Sequence, residues 1–172
     1  YESSELGQPR RANPHMHMLE AVMELHLATG TEDLLDLAAE SVRLFETKYF
    51  DPETDIMAEY FDDQWNLAST ARETIFEPGH HFEWASLLHQ YDQLSDHDSL
   101  SWRRRLIRRA NNKRNQASTG FSLNAMYADG RVANGTTRLW PQLERFRAML
   151  LHPGIRSMYQ PEQHLSAIFE SF

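Results

Sequence analysis

Among its 172 residues the chain has no cysteine. That excludes disulfide staples, thiolate nucleophiles and cysteine-ligated metals. The absence fits a reducing compartment, and a cytoplasmic location is expected. Long apolar runs are also missing: none approaches the ~20 residues that a membrane-spanning helix needs. The polar stretch Tyr1 to Asn13 lacks the apolar core of a signal peptide, so no membrane partner is expected. Positive charge is in deficit. Seventeen Lys and Arg stand against 25 Asp and Glu, a formal net charge of −8, which argues against a general polyanion or nucleic-acid binder. What is present in excess is aromatic side chains, at 11%, and nine histidines. Rings serve packing and ligand stacking alike, so composition alone does not choose a function.

Turn-formers divide the chain into helices. Tyr1 to Ala12 reads as loop. Asn13-Pro14 is a helix-start signal, with Asn as N-cap and Pro at the first helical position. The helix runs to about Thr29 and stops at Gly30. Met16, Leu19, Met23 and Leu27 on one side, with Met18, Val22 and Leu25 on another, predict burial on more than one side. Thr31 is expected to cap an amphipathic helix whose stripe is Leu34, Leu37, Ala38, Ser41, Leu44 and Phe45. Asp51-Pro52 ends that unit. Ile56 to Leu67 alternates around Asp62-Asp63, as paired extended segments do. A third helix follows Pro78-Gly79 and runs to about Leu94. A fourth covers about Leu100 to Ala117, ended near Gly120. Phe121 to Asn134 is hairpin-like, turning at Ala128-Asp129-Gly130. Arg138-Leu139-Trp140-Pro141 opens a fifth helix to about Leu151, broken by Pro153-Gly154. A last helix covers about Pro161 to Phe172.

The pattern repeats. A more buried helix, an amphipathic helix and a hairpin-like linker lead to the next buried helix. Glu20, Glu83 and Glu144 fall in the first turns of successive buried helices, with His17, His80 and Pro141 three residues earlier. A repeat of about sixty residues with two helices per unit means stacked helical hairpins. An open solenoid and an α/α toroid both fit. The toroid is favoured because polar and aromatic residues gather at the start of each buried helix, and parallel inner helices would line one mouth with them. The expected fold class is thus all-α, a partial (α/α)6 barrel with short β-hairpin-like linkers, residues 1–172 forming one incomplete domain of about half the ring.

The richest of these helix starts is Pro78-Gly79-His80-His81-Phe82-Glu83-Trp84. Free backbone N–H groups and the positive dipole end lie at such a start. His80 and Glu83, three apart, project from one side of the first turn. A base beside a carboxylate at a helix mouth suits proton transfer.

Arg11-Ala12-Asn13-Pro14-His15-Met16-His17-Met18-Leu19-Glu20-Ala21, the Pro78 to Trp84 segment, and Arg138-Leu139-Trp140-Pro141-Gln142 with Glu144 resemble three motifs of the N-acylglucosamine 2-epimerase family, in its order. The likeness covers about Arg11 to Leu151. The resemblance implies an (α/α)6 barrel and a sugar 2-epimerase or aldose–ketose isomerase, with members acting on N-acylglucosamine, cellobiose or mannose-type sugars. It implies His80 as catalytic acid/base, Glu83 as its catalytic companion, Asn13 and His17 as sugar contacts, and Trp140 as pocket wall. It implies no cofactor and no metal. Members are more than twice as long, with a further helical section before the matching part and a second catalytic histidine near the C-terminus. His164 does not match that histidine's context. The chain is therefore expected to be the central to C-terminal part of a longer enzyme, or a truncated relative.

The expected partner is a small-molecule sugar, and a homodimer is compatible with this reading. Each residue also has a plainer role. His80 and Glu83 could be a buried structural pair, His17 a core histidine bonded to a carbonyl, and Trp84 and Trp140 simple core. His15 and His81 point away from their motif neighbours and are expected to be structural. Neither His15-x-His17 nor His80-His81 has the i, i+4 spacing of a helical metal pair. The basic run Arg103-Arg104-Arg105, Arg108-Arg109, Lys113-Arg114 is expected on a solvated outer face or against acidic neighbours. The alternative function is a non-catalytic helical-repeat module that binds carbohydrate or protein.

Overall fold

A computed structural model describes residues 9–70, 72–152, 154 and 160–172. The loop reading for Tyr1 to Gln8 and the break at Pro153 lie outside the described residues. The chain divides into two compact units, residues 1–76 with 127–131, and residues 77–126 with 132–172.

The first unit is a helical hairpin trimmed with short strands. β1 (Arg10–Arg11) pairs antiparallel with β4 (Tyr60–Phe61), Arg10 opposite Phe61 and Arg11 opposite Tyr60. α1 spans Asn13–Thr29 and ends as expected at Gly30, in the left-handed region at φ +68°. Its start differs from expectation. Ala12, not Asn13, is the N-cap residue, and no side chain caps the helix. The reason is tertiary: the Ala12 amide already donates to the Glu59 carbonyl beside the β1–β4 ladder, so Ala12 enters the helix in αR geometry.

α1 is also less buried than its composition suggests. Met16, Leu19 and Met23 form one fully buried stripe, whereas Met18, Leu25 and Leu27 are 43%, 50% and 57% exposed. One partner helix, α2 (Asp33–Leu44), packs on it within the unit and covers one stripe only. The Thr31 side chain does not cap α2. Glu32 is the N-cap, and the Thr31 hydroxyl accepts from Thr29 instead. The α2 stripe is rotated as well: Ala38, Ser41 and Val42 are buried, with Phe45 just beyond, while Leu37 is exposed.

A five-residue π turn, Phe45–Tyr49, leads into β2 (Phe50–Asp51), which pairs with β3 (Ile56–Met57). The Asp62-Asp63 turn is held by the Asp62 carboxylate, which accepts from the amides of Gln64 and Asn66. β5 is Ile75–Phe76.

The second unit is built around α3 (Pro78–Leu94). Every residue from Pro78 to Leu88 is buried, because α4 (Leu100–Ala110) and α5 (Leu139–Leu151) both pack against it. α6 (Pro161–Ser171) packs on α5. The fourth helix stops at Ala110, seven residues short of expectation. Asn112 turns the chain there, its side chain accepting the Arg114 amide at the head of a 3-10 turn, Lys113–Asn115. Asn115 then donates to the Arg109 and Ala110 carbonyls and satisfies the helix end. β6 (Ala125–Tyr127) and β7 (Val132–Asn134) form the expected hairpin, with Gly130 at φ +91° in its turn.

The described chain is thus mainly helical, with short hairpin-like linkers. Among the described residues no helix is long and apolar enough to cross a membrane.

Candidate active site

α3 starts where it does because Pro78 supplies a fixed φ and no amide donor, while Glu77 before it stays extended at φ −104°, ψ 118°. Gly79 is required by packing. A Cβ there would lie 2.5 Å from Cη2 and 2.7 Å from Cζ3 of Trp140, and 3.0 Å from Cβ of Pro141. The first turn of α3 therefore touches the first turn of α5. Two helix starts with their orphan amides and positive dipole ends thus meet in this unit.

His80 projects from that contact. Its ring lies 5.2 Å from the Trp140 ring, tilted by 32°, and the residue is 7% exposed. Its Nε2 is 4.0 Å from Oε2 of Glu77. The same carboxylate oxygen is 3.5 Å from Nη2 of Arg138. Arg138 in turn lays its guanidinium 5.6 Å from the Trp140 ring centre and donates from Nε to Oδ1 of Asn124 at 2.5 Å. One carboxylate, one imidazole, one indole and one guanidinium thus form a connected cluster.

Glu83 is buried one turn further along α3, at 7% exposure. Trp84 is fully buried and belongs to the core. His81 is fully buried, its Nδ1–H donating to the Glu77 carbonyl at 3.2 Å, which is the structural role expected of it. Trp140 is only partly covered and forms a wall over His80. Beside it, Gln142 is fully buried. It accepts the Ser122 amide and donates to the Ser122 and Arg138 carbonyls, fixing the β6 approach against α5.

In the first unit, Asn13 is half-buried. Its Oδ1 is shielded from solvent with no hydrogen-bond partner among the described residues. His17 is exposed rather than a core histidine, with Nδ1 3.7 Å from Oε2 of Glu20. His15 turns the other way, its ring 5.3 Å from Trp65 and 6.0 Å from Tyr49.

The basic run is not wholly on the surface. Arg103 is buried and ion-paired with Asp92 at 3.0 Å, whereas Arg104 and Arg108 are exposed. Two cluster members were given no role in the sequence reading, Glu77, which lies outside the motifs, and Arg138, which opens the third. Glu77 carried a usable signal, a carboxylate three residues before His80. Arg138 lies 58 residues from His80 in sequence, and only the α3–α5 packing brings it near.

The model of the N-acylglucosamine 2-epimerase (GlcNAc 2-epimerase) family matches residues 2–166, a wider span than the three motifs. A curated relative, the mannose-6-phosphate isomerase of Rhizobium meliloti (strain 1021), is 28% identical over 162 residues, 92% of this chain and 42% of that protein. A crystal structure of D-mannose isomerase superposes with a TM-score of 0.78 at 25% identity, over 97% of this chain and 46% of that one. Cellobiose 2-epimerase from Bacillus thermoamylovorans B4167 shares the fold, with a TM-score of 0.75 at 17% identity over 98% and 42%. The chain spans under half the length of these relatives. With the family model matched over nearly all its residues, the chain belongs to the N-acylglucosamine 2-epimerase family.

Proposed function

We propose that the chain carries one proton-transfer histidine of a sugar 2-epimerase or aldose–ketose isomerase, and that this histidine is His80. The observation that carries the reading is the placement of His80 at a helix start, largely shielded, under an indole and beside a carboxylate. A histidine titrates near neutral pH and can both take and return a proton. The partial ring, about half of an (α/α)6 barrel and the central to C-terminal part of a longer enzyme, belongs to the same proposal. Coverage of 42–46% of the relatives supports it. A cytoplasmic location is supported by the lack of cysteine.

In this mechanism the imidazole removes the proton alpha to the carbonyl of the open-chain sugar. The C–H electron pair becomes the enediolate π bond, and the carbonyl oxygen takes up negative charge. A proton then returns to the opposite face of C2 as the O1 carbonyl re-forms, giving the epimer, or to C1 as the O2 proton passes to O1 and the C2 carbonyl forms, giving the ketose. Orphan amides at the two helix starts favour the developing oxyanion. Trp140 offers an apolar face for sugar C–H groups. Glu83 helps to hold the catalytic geometry and accepts from sugar hydroxyls. Asn13 and His17 are assigned sugar contacts, and a ligand hydroxyl would satisfy the shielded Asn13 Oδ1, which otherwise costs about 1–3 kcal/mol.

The test is incorporation of solvent deuterium at C2 of mannose and N-acetylmannosamine by the enzyme carrying this chain. His80→Ala should lower the exchange rate by about 10²–10⁴-fold while leaving the far-UV spectrum unchanged. Undiminished exchange in the folded variant would remove His80 from the chemistry. No exchange by the wild type on any aldose tested would favour a non-catalytic binding module.

A further inference from the structure

We propose that Glu77 is a positioning residue for His80, and that Arg138 tunes it, so that the two charged side chains set the pH range over which the imidazole works. The inference rests on the proposed function, since it concerns the histidine assigned there. It adds a carboxylate that the family motifs quoted above do not include.

The geometry suits tuning rather than proton relay. At 4.0 Å from His80 Nε2, the Glu77 oxygen is beyond hydrogen-bond range. The carboxylate therefore acts on the ring through its field rather than through a hydrogen bond. When His80 takes a proton, the new imidazolium faces a negative charge, and the pair stabilises it. The site is largely shielded, with Glu77 and His80 side chains 19% and 9% exposed, so solvent screens this charge less than it would on an open surface.

Arg138 holds the other side of the balance. Its Nη2 is 3.5 Å from the same Glu77 oxygen, which favours the ionised carboxylate. Its positive charge also opposes protonation of His80. The guanidinium is not swinging freely in this arrangement. Nε is bonded to Asn124, and the plane rests near the Trp140 ring, the same ring that covers His80. Glu77 is fixed from the backbone side too, since its carbonyl accepts from the His81 ring. Glu77 and Arg138 thus press on His80 with opposite sign from fixed positions.

Opposite signs make the test specific. Glu77→Gln keeps the shape and removes the negative charge. The acidic limb of the kcat/KM profile for C2–H exchange should move to lower pH by about 0.5–1 unit. Arg138→Gln removes the positive charge, and the same limb should move to higher pH. KM at the pH optimum should change less than twofold for Glu77→Gln, because the carboxylate acts through His80 rather than on the sugar. The His80 ring resonance, assigned by its loss in His80→Gln, gives a second readout that needs no turnover. Its titration midpoint should fall in Glu77→Gln and rise in Arg138→Gln.

Midpoints and limbs that shift together with opposite signs support the role. Shifts of the same sign in both variants, or no shift in either, would overturn it and leave Glu77 a structural helix-start residue. Midpoints that move while wild-type exchange is absent would overturn the proposed function, and the catalytic role with it, yet still show the electrostatic coupling.

Discussion

Nη1 of Arg103 donates to Nε2 of His152 at 2.9 Å, joining the middle of α4 to the residue that closes α5. The same Nη1 donates to Nδ1 of His89 at 3.0 Å, Nε donates to Ser99 Oγ at 2.9 Å, and Nη2 pairs with Asp92 at 3.0 Å. Arginine has no acceptor, so both imidazole nitrogens must be bare. His152 carries its proton on Nδ1, which donates to the Ala148 carbonyl at 2.7 Å. This network ties α3, α4 and α5 together inside the second unit. Replacing Arg103 by Met should cost about 1–3 kcal/mol, because the buried ion pair and the hydrogen bonds to His89 and His152 are lost while Asp92 keeps only His97 and the Ser99 amide and hydroxyl. Denaturant unfolding of the variant would measure it, and a loss below about 1 kcal/mol would show the network to be dispensable.

The same network predicts a response to acid. His89 and His152 are held below the usual histidine range, in both cases chiefly by burial, with the Arg103 charge adding to it. Their depressed values mean that the unfolded chain binds protons which the folded chain refuses. Stability is therefore full above about pH 6.5 and falls as pH drops towards and through the folded-state values. His152→Gln cannot be protonated and should flatten the fall between pH 7 and pH 5 in thermal melts. An unchanged pH slope in that variant would remove His152 from the acid response.

His164 extends the acid response lower. Burial, reinforced by Arg145, brings it to about 4, against a weaker opposing contribution from the Gln142 carbonyl. Nε2 lies 3.2 Å from that carbonyl, and the ring meets Phe121 edge-on. Between about pH 6.5 and pH 4 this one group should remove stability at up to ~1.4 kcal/mol per pH unit. Proton NMR should show its ring resonance titrating near pH 4. A midpoint near 6.5 would mean that α6 does not stay docked on α5.

What could be read from residue order was the part that local chemistry decides. Pro78 opens α3, Gly30 stops α1, and the Ala128 to Gly130 turn closes a hairpin, because each depends on a backbone conformation that few residues allow. The errors fall where a distant element decides. Asn13 is a good cap by type, but the Glu59 carbonyl holds Ala12 and moves the cap one residue back. Arg103 takes the second of the two settings expected for the basic run, against the acidic Asp92, while its burial among Ser99, His89 and His152 comes from helix packing. The site divides in the same way. His80 and Trp140 were visible as motif residues, whereas the contact of Arg138 with Glu77 comes from packing α3 against α5.

Two glycines separate a packing requirement from a backbone one. Gly30 sits at φ +68° with nothing within 4 Å of an added Cβ, so Gly30→Ala meets only the left-handed backbone penalty, about 1 kcal/mol. Gly79 has ordinary helical geometry, but its Cβ would run into the Trp140 ring at 2.5 Å. That ring is also the cover over His80 and the surface against which Arg138 rests. Gly79→Ala must push the indole aside, at about 1–3 kcal/mol for an overpacked contact, and in doing so it disturbs the cluster. The expected outcome is a modest stability loss for both variants, with a change in near-UV tryptophan ellipticity and at least a tenfold drop in C2–H exchange for Gly79→Ala alone. Equal activity in the two variants, measured on folded protein, would mean that the position of Trp140 over His80 does not matter to turnover.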